Sequence, residues 1–165
     1  MRNETIYLYA AGGHAKVVFD SLIVAGYSSN QILVVDDDPH FVGKPFLETT
    51  IEQLLNGRLV ENISVHVCIG NNANRMRVYR KLEATGAMIC SVIHPSSLVS
   101  QYAVVGNGVF IAAKAVVAPN AIVGNSVIIN HGAVVDHDCI VGDFCHIAPN
   151  VTLGGGVTVD RKSVV

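Results

Sequence analysis

From Val99 onward every sixth residue is aliphatic: Val99, Val105, Ile111, Val117, Val123, Ile129, Val135, Val141, Ile147, Leu153, Val159 and Val165. Four places after each comes a small or β-branched residue, among them Ala103, Val109, Ala115, Ala121, Ala133, Cys139 and Cys145. A period of six fits neither the 3.6 of a helix nor the 2 of a flat strand, so each unit must be a short strand followed by a bend. The bends are visible at Asn107-Gly108, Pro119-Asn120, His131-Gly132, Pro149-Asn150 and Gly155-Gly156, residues that accept turn and left-handed conformations. Units this short bury their aliphatic residue only by stacking, which predicts a parallel β-solenoid.

This repeat resembles the left-handed β-helix of the hexapeptide-repeat acyltransferases. The resemblance implies three units to a triangular coil, so residues 18 apart lie in register on successive coils.

The amino-terminal half follows other rules. "IYLYA" (Ile6 to Ala10) reads as a strand, followed by a glycine turn and a helix carrying Val17, Val18, Leu22 and Ala25 on one face. "ILVVDDD" is a second strand ending in acid, "TIEQLLN" a short helix and "ISVHVCIG" a third strand. "NANRMRVYRKLEATG" is a helix closed by Gly86, and "AMICSVI" a fourth strand. Strands alternating with helices predict a parallel, Rossmann-like α/β domain over residues 1–95, followed by the β-helix over 96–165, with "HPSSLVS" as the junction.

Composition closes off several functions. A net charge of −2 with scattered Lys and Arg offers no footprint for nucleic acid. The first apolar run, Ile6 to Ala11, is too short for a signal-peptide core or a membrane span, so the expectation is a cytoplasmic protein without membrane contact. Cys68, Cys90, Cys139 and Cys145 form no CxxC pair and read as reduced, buried thiols.

Chemistry-bearing residues crowd into "NHGAVVDHDCIVGDFCH" (Asn130 to His146) and the turn "YAAGGHAKVV". The turn is a partial G-x-G-x-x-G in which Ala10 and Ala15 replace the outer glycines. It suits a mononucleotide or nucleotide-sugar cradle better than NAD; the plainer alternative is a tight strand–helix turn beside a solvated acidic loop. Cys139 and Cys145 occupy inward positions, and His131 and His137 fall on different sides of a triangular coil. Both placements speak against a metal within one chain.

The order "IYLYAAGGHAKVV", "VVDDD", "IGNNANR", "HPSS" and hexapeptides with "VVDHDCIVGDFCHI" resembles, over nearly the whole chain, the bacterial nucleotide-sugar acetyltransferases. These act on amino sugars for glycan and polysaccharide assembly and are typified by the UDP-4-amino-sugar N-acetyltransferases of bacillosamine type and the sialic-acid O-acetyltransferases. The resemblance implies acetyl-CoA as co-substrate and no metal; a triangular prism that packs its sides around a threefold axis, with His131, His137 and His146 on different faces, adds the expectation of a homotrimer. The resemblance also makes His137 the base and Asp138, or alternatively Asp136, the carboxylate that orients it. Aspartate stands where glutamate is usual in that family, which leaves its reach in question. One coil on, Gly155 becomes the oxyanion donor, and Asn130 and His146 become contacts to acetyl-CoA or acceptor. Gly12, Gly13, His14, Lys16, Asp36 and Asp37 would hold the nucleotide sugar. His131 carries no role and reads as a surface histidine. The family's solenoid runs on for further units that supply much of the coenzyme A pocket, whereas this chain ends one residue into a new hexapeptide. The expectation is therefore a short, uncapped last coil with weak acetyl-CoA binding. Alternatives are O-acetyl transfer, a zinc hydratase of γ-carbonic-anhydrase type, and a nucleotide-sugar-binding scaffold without transfer activity.

Overall fold

A computed structural model of the protein describes residues 5–53 and 64–165. Its amino-terminal part is a five-stranded, all-parallel sheet. The strands are β1 (Ile6–Tyr9), β2 (Ile32–Asp36), β5 (Glu52–Gln53), β6 (Ser64–Val67) and β7 (Met88–Ile89), in the order β5-β2-β1-β6-β7. Strands β3 (Pro45–Phe46) and β4 (Thr49–Thr50) form a separate antiparallel pair. Helix α1 (Gly13–Val24) follows β1 and buries Val18, Phe19 and Leu22; Val17 is half-buried and Ala25 caps its end. Helix α2 (Asn72–Glu83) follows β6. The Asn71 side chain accepts from the Asn74 N–H at 3.0 Å and caps its start, while Arg80 and Lys81 complement the carbonyl end. Gly86, at φ +80, turns the chain back toward the sheet.

Two expectations about these elements need correction. Thr50 to Gln53, assigned to a short helix, instead enters strands β4 and β5, because Val35 and Asp36 of β2 offer an open edge to pair with; residues 54–56 of that expected helix lie outside the described residues. The expected fourth strand over Ala87 to Ile93 is also two strands in different sheets. Met88–Ile89 closes the amino-terminal sheet, and Val92–Ile93 opens the solenoid.

The solenoid has twelve two-residue strands on three faces of four. Partners lie 18 residues apart, as in Val104↔Ile122, Val116↔Val134 and Phe110↔Ile128. The second residue of each strand points inward: Ile111, Val117, Val123, Ile129, Val135, Val141 and Ile147 are at most 2% exposed. The small positions Ala115, Ala121, Ala133, Cys139 and Cys145 fill the space between them. Each aliphatic residue buried in this way contributes about 1.5–3 kcal/mol.

One face of the prism is covered by the amino-terminal part. Its outward residues Val92, Phe110 and Ile128 belong to the same core as Ala11, Ala15, Val18 and Phe19 of the β1–α1 segment. The other two faces are open. On one of them the outward column Val104, Ile122 and Ile140 is 61%, 47% and 47% exposed. Cys68, Cys139 and Cys145 are buried thiols, and Cys90 is only half-buried. Among the described residues no helix is long and apolar enough to cross a membrane.

Candidate active site

His137 stands at a corner of the prism, between Val134–Val135 and Ile140–Val141. The bend is made by Asp138, which holds φ +60, a left-handed conformation that Asp accepts more readily than most residues. This geometry turns the Asp138 carboxylate back onto its neighbour, so its Oδ2 accepts from His137 Nδ1 at 2.7 Å. The reach of the shorter aspartate is therefore sufficient. Asp136 takes a different role, accepting the His137 backbone N–H on Oδ1 at 2.7 Å. One coil earlier, Asn120 Nδ2 donates to Asp138 Oδ1 at 3.2 Å. The bond to Asp138, together with the charge of Asp136, holds the His137 pKa above its ordinary 6.5. With Nδ1 bonded to the carboxylate, the neutral ring presents its lone pair at Nε2.

Gly155 lies one coil further on, over that ring. A Cβ at 155 would sit 2.5 Å from both Cε1 and Nε2 of His137, so only glycine leaves the edge open. The next residue, Gly156, donates its N–H to the His137 carbonyl at 2.9 Å, while the Gly155 N–H finds no acceptor among the described residues.

A second cluster lies in the seam between the covered face and α1. Asn130 Oδ1 accepts from the backbone N–H and Nδ1 of His131, both at 2.9 Å, which leaves its amide nitrogen to donate to His146 Nε2 at 3.0 Å. A neutral His146 thus carries its proton on Nδ1. His146 is half-buried, and burial, with the charge of Arg75, depresses its pKa. His14 meets Phe110 edge-on, with ring centroids 5.1 Å apart, and its buried Nε2 has no hydrogen-bond partner. Burial, reinforced by His66, Arg75, His146 and His131, lowers its pKa to about 3, so it is neutral. His131 was read as a surface histidine. It is exposed, yet its ring fixes the Asn130 amide, and the adjacency of the two residues was the one available signal.

The third cluster is a cleft of about 250 Å³ at the carboxyl ends of β1, β2 and β6, walled on one side by α2. It lies at the switch point of the sheet, where the connections leaving β1 and β6 run to opposite sides, the crevice in which open α/β sheets bind ligands. Its lining includes Tyr9, Asp36, Asp37, Arg77 and Lys81. The two oxygens of Asp36 accept backbone N–H groups, from Ala11 at 2.8 Å and Asp38 at 2.9 Å, so this residue ties the β1 turn to β2. Ala10, where the dinucleotide pattern has its first glycine, keeps a glycine-like φ of +80. Asp37 faces Tyr9 and Lys81: the Tyr9 hydroxyl donates to its Oδ2, and Lys81 Nζ lies 3.5 Å away. Burial, then this bond, pushes the Tyr9 phenol pKa up. Gly12, Gly13 and Lys16 are exposed at the start of α1 and do not line the cleft. Tyr9, Arg77 and Lys81 were not singled out in the sequence, because a tyrosine inside a strand and two cations on a polar helix read as packing and solvated surface.

The described residues contain no group of three His, Cys, Asp or Glu placed to hold a metal ion. His137 and the Asn130–His146 pair stand on different corners of the same prism.

Comparison with known proteins gives this geometry a family. The model of the PglD N-terminal domain matches residues 5–82, and that of the bacterial transferase hexapeptide (six repeats) matches 120–155. The acetyltransferase domain of PglB from Neisseria gonorrhoeae, solved with acetyl coenzyme A, superposes with a TM-score of 0.89 at 31% identity, covering 99% of this chain and 80% of that one. A mutant of perosamine N-acetyltransferase from Caulobacter crescentus, solved with CoA and GDP-perosamine, gives 0.87 at 32% identity, covering 99% and 77%. The chain belongs to the hexapeptide-repeat nucleotide-sugar acetyltransferases. Within this family it is also 30% identical over 119 residues to the UDP-N-acetylbacillosamine N-acetyltransferase of Bacillus subtilis, an alignment spanning 67% of this chain. The match spans 52% of that curated relative's length.

Proposed function

We propose that the protein transfers the acetyl group of acetyl-CoA to the amino group of a nucleotide-activated amino sugar, of UDP-4-amino-sugar type, for surface glycan or polysaccharide assembly in the cytoplasm. The observation that carries this reading is the His137–Asp138 pair with Gly155 over its Nε2 edge. His137 Nε2 accepts the proton that the sugar amine loses as its nitrogen attacks the thioester carbonyl. The carbonyl oxygen becomes an oxyanion, to which the free Gly155 N–H donates. Collapse of the tetrahedral intermediate breaks the C–S bond, and the proton held on His137 leaves with the CoA thiolate. Asp138 keeps the ring in the Nδ1–H tautomer and stabilises the imidazolium between these steps.

The division of labour is an amino-terminal Rossmann-like domain that holds the nucleotide and a β-helix, opening at Val92–Ile93, that carries the chemistry. The cleft beside Asp37, Arg77 and Lys81 takes the nucleotide; the Gly12–Gly13 turn, His14 and Lys16 reach toward the sugar side of that ligand. Asn130 and His146 contact acetyl-CoA or the acceptor. Because those two residues and His137 occupy different corners of one prism, the working form is a homotrimer in which one subunit's His137 corner meets its neighbour's Asn130–His146 corner. The exposed column Val104, Ile122 and Ile140 is the surface that such packing covers. Incubation with acetyl-CoA and a panel of UDP and GDP amino sugars, following thiol release, tests the reading. Release that depends on the amino sugar supports it, and none with any acceptor overturns it.

A further inference from the structure

Arg75 is the largest fully buried side chain in the described protein, at 1% exposure, and no carboxylate faces it. Nε donates to Ser126 O at 2.9 Å, and Nη1 to Ile69 O and Gly70 O, both at 2.9 Å. Nη2 donates to Asn72 Oδ1 at 2.8 Å and to Phe144 O and Cys145 O at 3.0 Å. A buried cation without a counter-ion persists only when every donor is satisfied, and burial lowers its pKa to about 10. Three of its acceptors belong to the solenoid, and two are the peptide carbonyls immediately before His146.

Two further observations converge on that segment. Asn72, held by Arg75, donates through Nδ2 to Ser163 O at 3.0 Å, and the His146 backbone N–H donates to the same oxygen at 2.9 Å. The backbone on both sides of His146's peptide plane is thus fixed by one arginine–asparagine pair from α2. Phe144 also holds φ +60, a costly conformation for a bulky residue, and it is kept there with its ring packed edge-on against Tyr79, centroids 5.4 Å apart.

We infer that Arg75 is a positioning residue: its fork on the Phe144 and Cys145 carbonyls sets the His146 imidazole against Asn130 and so couples the nucleotide-binding half to the acetyl-transfer site. The inference rests on the assignment of Asn130 and His146 to that site. A lysine keeps the charge but cannot form the fork. The groups facing His146 are Arg75 from α2, His14 from α1 and Asn130 from the preceding coil, with His131 bonded to the far side of the Asn130 amide.

The test uses the whole chain with Arg75→Lys, and Arg75→Met as a second variant should one of them not fold. Imidazole ¹⁵N spectra, with His146 identified by its loss in His146→Ala, report its tautomer without requiring activity. In wild type the neutral His146 should carry its proton on Nδ1; in a folded Arg75 variant the tautomers should mix. Acetyl transfer should fall about tenfold or more in kcat/KM, and Arg75→Lys placed on His146→Ala should cost less than twofold more, since both act on one interaction. A folded variant with an unchanged His146 spectrum, or with a loss that adds in full to that of His146→Ala, overturns the inference. A wild-type protein without transfer activity overturns the proposed function instead, and leaves the spectra to decide this point.

Discussion

The imidazole of His137 and the α-carbon of Gly155, 18 residues apart in sequence, stack on successive coils so closely that one methyl group at 155 would lie 2.5 Å from Nε2. Gly155 has no left-handed φ to protect, so alanine fits its backbone and the conflict is confined to the ring. Gly155→Ala should leave the melting temperature within a few degrees of wild type and reduce kcat by about a hundredfold or more, through displacement of the base and its oxyanion donor. Steady-state kinetics beside thermal unfolding checks this; equal losses of stability and activity would contradict it.

The pH dependence follows from the charge around His137. Its pKa is raised because the protonated ring is favoured by Asp138 and Asp136. A base works in its neutral form, so kcat/KM should rise with pH through an apparent pKa above 6.5. Asp138→Asn removes the charged acceptor, which should bring that limb down toward 6.5 and lower the plateau at high pH. A pH–rate profile of both proteins measures the two shifts.

In the nucleotide cleft, neighbouring aspartates should fail in different ways. Asp37→Asn should weaken binding of UDP or the nucleotide sugar with little change in stability, because its charge faces Tyr9 and Lys81 at the mouth. Asp36→Asn should lower stability by about 1–3 kcal/mol, since one of two N–H groups loses its acceptor. Calorimetric titration and denaturant unfolding of both variants separate the roles.

For the apolar column, Ile122→Glu places a charge at the centre of Val104, Ile122 and Ile140. Wild type should run as a trimer in sedimentation, and the variant as a monomer with a folded spectrum.

Much of this was legible because inward aliphatic residues cannot vary in a prism this narrow. The period named the solenoid, and the spacing of 18 placed Gly155 over His137. The first strand of the solenoid escaped notice although Ile93 keeps the period, because "HPSS" reads as a linker and Val92 is buried only by the amino-terminal half. The same dependence on a distant partner hid β5, whose Glu52 and Gln53 carry no strand pattern and pair because β2 has a free edge. Arg75 was the least legible. On a helix of polar composition it reads as solvated, and only the three-dimensional meeting of α2 with the solenoid corners Ser126 and Phe144 supplies the acceptors beyond its own domain.

The most direct measurement is the turnover of His137→Asn with acetyl-CoA and the nucleotide amino sugar that wild type accepts, alongside calorimetric binding of that sugar to both proteins. Asparagine preserves polarity and approximate size but cannot take a proton at the Nε2 position. Loss of a positioned general base should lower kcat by about two to four orders of magnitude, with nucleotide-sugar affinity unchanged within about twofold. A variant that retains near wild-type kcat would contradict the assignment of His137 as the base.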